Sequence, residues 1–464
     1  MFQAPYPPYD PTDKNGYETV VKRWPVILTN IIDTVYRSNH DTAIAAGETP
    51  SAEVEEKLAE GKKIIEEIIR LFVDFPYTQW MEELYRPVPE DGEAMVEVYN
   101  KELERLATEE KGTWFTAPWL YADYRFVRSY FAKSRHWKNY DPFAEQKEST
   151  FQKSGAAIYK LATTMHQLEG EKAVLESDPD KLEVIFREMV QMCLWYDLSL
   201  LTHMSHEDIQ RLQAVGREAQ KAQEEYILKD DQHTVWSHIK TLRNARVDFV
   251  LDNVAELPMQ VFTDFVFADF LVTYTPYVSS VVFHAKAIPW FVSDVTPPDF
   301  LNTPSLLLSP SFFSETSHAA DTVAKEHLHA LVSRWKRYIA EGKFRLGVPL
   351  DSPLGVADPK IDFWTSPWPY WNMEVIAPEL FKELTTSMLT GDVRWPVDTP
   401  FATAVGPLAS SFPLLSLRTN KADVVVGVPQ DIADALDKKD PKWAVNGKYA
   451  LVSFLSGRTA GGRA

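Results

Sequence analysis

One change of texture constrains this chain more than any other feature. Up to about residue 245 the apolar residues recur at helical steps and strand signals are almost absent. Val20, Val21, Trp24, Ile27, Leu28, Ile31, Ile32 and Val35 make one such stripe, and Val54, Leu58, Ile65, Ile68, Ile69 and Phe72 a second. The second predicts a helix from Pro50 to Asp74, with Thr49 as cap and Pro50 at its first position. Further helical pattern covers 93–111, 117–135, 149–170 and 181–196. Beyond residue 245, short β-branched runs at Val247–Leu251, Val278–Phe283, Pro289–Val295, Asp423–Val428 and Tyr449–Leu455 alternate with helical stretches, among them Lys325–Gly342. Strands that alternate with helices build a mostly parallel sheet flanked by helices. The expected class is therefore α/β: an extended lead-in over 1–16, a helical domain over 17–245, an α/β domain carrying the site over 246–456, and a tail at 457–464.

Composition matters chiefly for partners. The chain has 464 residues, 12% of them aromatic, enough for a large core, and a formal net charge of −18. That charge excludes an overall basic nucleic-acid binder, so any RNA contact has to be local, and neither DNA nor a membrane is expected as a partner. Cys193 is the only cysteine, which excludes a disulfide scaffold or a Cys-rich zinc module. No apolar run reaches the roughly 18 residues of a membrane span, and the Pro- and Tyr-rich start does not read as a signal peptide, so a cytoplasmic protein is expected.

Polar residues just past strand ends are the places to look for chemistry, because α/β sheets bind ligands there. Asp252-Asn253-Val254-Ala255-Glu256 follows the first such strand, and Asp252 and Glu256, four apart, share a face if a helix starts there. Two carboxylates so placed can hold a cation, clamp an ammonium or act as a base; equally, Asp252 can cap the helix and Glu256 complement its dipole. Asp294 ends the Pro289–Val295 run and, with Asp252 and Asn253, makes an all-oxygen set suited to Mg²⁺ or Mn²⁺. Arg418-Thr419-Asn420-Lys421 offers two cations and a hydroxyl to a phosphate or carboxylate, or is a solvated loop. Between Tyr124 and Tyr140 lie Arg125, Arg128, Lys133, Arg135 and Lys138, interleaved with aromatics. Lys325–Arg345 is a second basic stretch. Such patches either track an RNA backbone and stack bases or are solvated helix faces.

At these residues the chain resembles the damage-control metal-dependent phosphatases, also called the acidic-residue methyltransferase-like family. The likeness runs from about Tyr17 to Gly457. It is carried by Thr113-Trp114-Phe115-Thr116-Ala117-Pro118-Trp119-Leu120, Trp137-Lys138-Asn139-Tyr140-Asp141-Pro142-Phe143, Phe291-Val292-Ser293-Asp294-Val295-Thr296, Gly406-Pro407-Leu408-Ala409 and Leu417-Arg418-Thr419-Asn420-Lys421-Ala422-Asp423. The resemblance implies a helical domain beside an α/β domain and an enzyme that cleaves sugar phosphates such as fructose 1-phosphate with Mg²⁺ or Mn²⁺. It maps Asp252, Asn253 and Asp294 to the metal site and Lys421 to phosphate binding.

The departures fall on ligand-facing loops. Cys193-Leu194-Trp195-Tyr196-Asp197-Leu198-Ser199 lacks the Gly-Asn of the family's first motif. Asp252-Asn253-Val254-Ala255-Glu256 replaces D-N-x-G-x-E, and Lys382–Met388 stands where a G-D-L-N-Y-R-K loop is expected. The altered spacing resembles the D-[DN]-x-x-E motif of the fungal arginine-containing cyclodipeptide synthases. That likeness implies an aminoacyl transferase of secondary metabolism that condenses arginyl-tRNA with a second aminoacyl-tRNA to a cyclo(Arg-X) diketopiperazine. Its chemistry needs positioning and proton transfer but no cofactor, since the ester is already activated. On this reading Asp252, Asn253 and Glu256 are catalytic, Asp294, Arg418 and Lys421 bind substrate, and Arg125 and Arg128 hold the tRNA end. The phosphatase with Mg²⁺ or Mn²⁺, or an inactive relative, is the alternative.

Overall fold

The computed structural model describes residues 24–73, 94–112, 116–118, 121–122, 130–131, 133–195, 225–251, 258–289, 294–313, 322–368, 370–391, 411–420, 427–444 and 446–457. The amphipathic stripes of the first part fold as helices α1 (Trp24–Ala46), α2 (Ala52–Val73) and α3 (Ala94–Thr108). Trp24, Leu28, Ile31, Val35, Ile64, Ile68 and Tyr99 bury their side chains together with Phe131, Trp137 and Phe143. Helices α4 (Ala144–Lys153), α5 (Gly155–Gly170) and α6 (Pro179–Trp195) instead join a second core, built on the sheet.

The sheet is assembled from β1 (Ile227–Asp230), β2 (Ala245–Val250), β3 (Val278–His284), β4 (Phe344–Leu346), β5 (Met388–Gly391), β6 (Leu414–Thr419) and β7 (Ala450–Leu455). Its order is β1-β7-β6-β5-β2-β3-β4, and every pairing is parallel except β6 with β7. Strand alternation divides the side chains between two faces. Val247, Phe249, Val281 and Phe283 face the core formed with helices α7 (Pro258–Tyr274), α8 (Pro297–Leu307) and α9 (Thr322–Ala340). Val250 and Leu414 belong to another cluster, with Phe363, Trp364 and helix α10 (Pro378–Leu384). The Pro- and Trp-rich stretch around residues 347–372 is thus an ordered cover on that second face.

The expected α/β class holds, but several local readings change. β1 lies before residue 246 and pairs with β7, so the sheet draws on chain that the helical pattern had claimed. Pro289–Val295 is no strand among its described residues: the backbone of Lys286 donates to the carbonyl of Val295 at 2.9 Å, folding the segment back over the end of β3. The third strand of that run is β4, three residues long and too short to show alternation. Val428 lies outside any strand, 421–426 lie outside the described residues, and the strand there is β6, upstream. Ser154 separates two helices within 149–170.

Helix α2 starts two residues later than its proline suggests. Ser51, not Thr49, caps it, its Oγ accepting from the amide of Val54 at 3.3 Å. A cap oxygen satisfies one of the first-turn N–H groups that have no intrahelical partner. Ser51→Ala is expected to lower stability by about 0.5–1 kcal/mol, read as a small shift of the urea midpoint, whereas Thr49→Ala leaves that midpoint in place.

Candidate active site

The chain traces β2, β3 and β4 toward one edge of the sheet and then returns to place β5 on the other side of β2. The crossovers change face at the same point: α7, α8 and α9 pack on one side and α10 on the other. The carboxyl ends of the strands at such a switch, here between β2 and β5, are the usual ligand position in an open parallel sheet. Residues 252 and 392 follow Leu251 and Gly391 in sequence and lie outside the described residues.

What is described on the rim begins at β3. Leu251 donates its amide to the carbonyl of His284 at 2.9 Å, so the chain entering Asp252 leaves the sheet beside the chain entering Lys286. Lys286 is buried and its Nζ donates to Oδ1 of Asp294, itself fully buried, at 3.0 Å. The backbone here is held on several sides. Ala287 donates to Oγ1 of Thr365 at 2.8 Å and accepts from Gly355 at 2.7 Å. Thr296 then caps α8 in a capping box with Asp299, which ends the loop carrying Asp294.

A second lysine fixes this loop from the helical side. Lys147 of α4 donates to Oδ2 of Asp141 at 2.8 Å, to Oδ2 of Asp299 at 2.7 Å and to the main-chain oxygen of Asp294 at 3.0 Å. Its ammonium thus uses all three protons. Burial by itself would lower the Lys147 pKa, but Asp141 and Asp299 outweigh it and raise it. Burial raises the Asp141 carboxyl despite Lys147, with Asp299 adding to the rise. The rise at Lys147 favours its charged form and the rise at Asp141 its neutral form, because one ammonium faces two carboxylates; the three short contacts decide for a charged lysine. A cleft of about 160 Å³ opens beside this cluster, lined by Asn139, Asp141, Glu148, Asp299 and Asn302 among others.

The covered face of the sheet carries a polar line toward the same rim. His284 Nε2 meets Oδ1 of Asp248 at 2.7 Å, and Arg246 grips both oxygens of Asp248 at 2.7 and 2.9 Å. Burial alone would raise the Asp248 carboxyl, but His284 and Arg246 prevail and hold it below the usual carboxylate range. On the far side of the switch, Arg418 near the end of β6 is buried, and Asn420, one residue past the strand, is fully buried. Thr419, on the opposite face, donates its hydroxyl to the carbonyl of Leu194 and ties β6 to the end of α6. With strands about 4.8 Å apart, β6 lies three positions or roughly 14 Å from β3.

Of the residues singled out in the sequence, Asp294 and Arg418 are therefore on this rim. Asp252, Asn253, Glu256, Lys421, Arg125 and Arg128 lie outside the described residues. Lys286, Lys147 and His284 were missed, and Asn420 entered only as a member of the Arg418–Lys421 string. The one signal for Lys286 was a lone cation in His284-Ala285-Lys286-Ala287-Ile288, two residues past a strand. The basic stretches do not behave as an RNA track where they are described. Phe131 and Trp137 are core residues rather than stacking platforms, and the indole of Trp137 donates to the carbonyl of Lys57 at 2.9 Å. Arg334 is buried against Asp269 at 2.7 Å, and Lys343 pairs with Glu341 at 2.8 Å. The stretch that replaces the family's phosphate loop is committed elsewhere: Glu383, in α10, pairs with Arg246 at 3.0 Å and Lys360 at 2.9 Å.

Comparison with known proteins bears on what this rim does. Residues 19–436 match the model of the damage-control phosphatase ARMT1-like domain. The chain belongs to that family. Damage-control phosphatase ARMT1 of Danio rerio is 30% identical over 473 residues, covering 95% of this chain and 94% of the relative. The proteins of the same name from Xenopus tropicalis and Homo sapiens are 29% and 27% identical, again over 95% of this chain and 96% of their own length. These full-length similarities to damage-control phosphatases overturn the cyclodipeptide synthase reading. With it go the aminoacyl transferase activity, the role in secondary metabolism, and arginyl-tRNA and a second aminoacyl-tRNA as partners. One short D-N-x-x-E motif does not outweigh similarity along nearly the whole chain. Among the described residues, no helix is long and apolar enough to cross a membrane.

Proposed function

We propose that the chain is a metal-dependent phosphatase that hydrolyses the phosphate ester of small hydroxylated metabolites, sugar phosphates such as fructose 1-phosphate among them. The observation that carries this reading is that the family match, residues 19–436, runs through every described segment of the rim: Lys147, Lys286, Asp294, Arg418 and Asn420. The oxygen-rich donor set also fits a hard cation. Asp294 is a buried carboxylate beside the exit of β2, and the residues that follow that exit, Asp252 and Asn253, add oxygen donors only. Among the described residues no group of three or more His, Cys, Asp or Glu could hold a metal ion, so the proposed set depends on Asp252 and Asn253 beyond them.

On this reading Asp252, Asn253 and Asp294 would hold Mg²⁺ or Mn²⁺, which when bound supplies charge neutralisation at the phosphoryl oxygens. Lys286 orients the Asp294 carboxylate by its 3.0 Å bond, and the three-way grip of Lys147 keeps the Asp294 backbone from shifting. Arg418, a planar donor fork buried at the rim, and Lys421 suit the phosphate. Glu256 remains a candidate for proton transfer. The test is phosphate release from a panel of sugar phosphates with Mn²⁺. Release above the uncatalysed rate that stops on chelation and returns on adding metal is the expected result; no release from any member of the panel overturns the reading.

A further inference from the structure

Asn420 is the described residue whose environment asks most clearly for a ligand. It is 0% exposed, and neither Oδ1 nor Nδ2 has a hydrogen-bond partner. Its main chain is fully engaged: the amide donates to Tyr449 at 2.8 Å and the carbonyl accepts from Gly447 at 2.8 Å. The bond to Tyr449 extends the β6–β7 pairing by one step past Thr419–Ala450, so alternation places Asn420 on the same side as Arg418, while the bond from Gly447 leaves the ladder and closes the turn that follows. A buried amide that lacks every partner is costly, and such groups are normally satisfied by protein, water or ligand.

The chemistry of the amide narrows what would satisfy it. Nδ2 needs acceptors and Oδ1 needs donors. A phosphate dianion has acceptors only and would leave Oδ1 as it is, while repelling it. A pair of hydroxyl groups answers both atoms, one donating to Oδ1 and the other accepting from Nδ2. We propose that Asn420 is a specificity-determining residue that reads the hydroxyl-bearing part of the substrate, while Arg418 on the same side attends to the phosphate. The proposal rests on the phosphatase reading for the identity of the substrate, but not for the existence of the contact.

The experiment compares wild type with Asn420→Leu, similar in volume but without polar atoms, and with Asn420→Thr should the leucine variant not fold. Thermal unfolding in a chelating buffer, where no turnover occurs, is followed with fructose 1-phosphate and separately with inorganic phosphate. The expected result is that fructose 1-phosphate stabilises wild type more than phosphate does, and that this excess disappears in the variant. With Mn²⁺, the ratio of kcat/KM for fructose 1-phosphate over 4-nitrophenyl phosphate should fall on the order of 10- to 100-fold in the variant. An unchanged ratio, an equal excess stabilisation in variant and wild type, or no excess in wild type overturns the role of Asn420. Loss of the excess in the variant together with no phosphate release from wild type would sustain the contact and sink the phosphatase instead.

Discussion

Asp294→Asn is expected to lower metal-dependent phosphate release by about a thousandfold while leaving the protein folded. The substitution removes one negative charge from a position that is fully buried, where a charge is weakly screened and contributes most to holding a cation. It keeps the shape of the side chain and an oxygen that accepts from Lys286, now bonded to Oδ1 at 3.0 Å. The main-chain oxygen that Lys147 holds is unchanged as well. Circular dichroism and the urea midpoint should therefore stay near wild type while kcat collapses. A variant that releases phosphate within a few-fold of the wild-type rate would remove Asp294 from the site and leave Lys286–Asp294 as a structural ion pair.

Lys147→Met should be the most damaging single change to the fold. Methionine fills much the same space, but Asp141 and Asp299 then face each other without the ammonium that both now bind at 2.8 and 2.7 Å. Breaking a buried ion pair from one side costs about 3–5 kcal/mol, because the charge left behind is desolvated and unpaired. The loss should depend on pH in a stated direction. In the variant the unpaired carboxylates have folded-state pKa values raised above the unfolded ones, so their ionisation opposes folding as pH rises through those values. Lys147 in wild type also has a raised pKa, a linkage of the same sign, but its contribution is fully present at every pH below that of an unfolded lysine, near 10, and so adds no slope between pH 4 and 7. The stability gap between the two proteins is thus widest at neutral pH and narrows toward pH 4. Urea unfolding at pH 7 and pH 4.5 checks this; a gap of the same size at both would mean that the loss comes from packing and not from charge.

The same lysine shows why the site was only partly legible. Asp294 and Arg418 were singled out beside expected strands that the structure moves: Pro289–Val295 is no strand among its described residues, and Arg418 lies near the end of β6 instead of preceding a strand at 423–428. Lys147 sits in α4 among ordinary helical residues, 147 positions from Asp294, and nothing in local spacing distinguishes it from a solvated lysine. Asn420 was visible as one letter of a polar loop, but its amide extends the β6 pairing to Tyr449 and its carbonyl accepts from Gly447 in the turn beyond. The aromatics around Trp137 misled for the converse reason. Interleaving with cations is common to an RNA-binding face and to an amphipathic segment with a buried side, and only burial separates the two.

Periodicity determined the class of this protein without help: helical stripes first, then strands alternating with helices, hence a mostly parallel sheet. Residue chemistry left two kinds of ligand open, a hard metal with a phosphate or an aminoacyl-tRNA, and only similarity along nearly the whole chain removed the second. Tertiary structure alone decided which side chains lose their water and which partners replace it. Burial is set by distant segments closing over one another, so Lys147 gained its three acceptors and Asn420 lost all of its partners through contacts that no stretch of the sequence encodes locally.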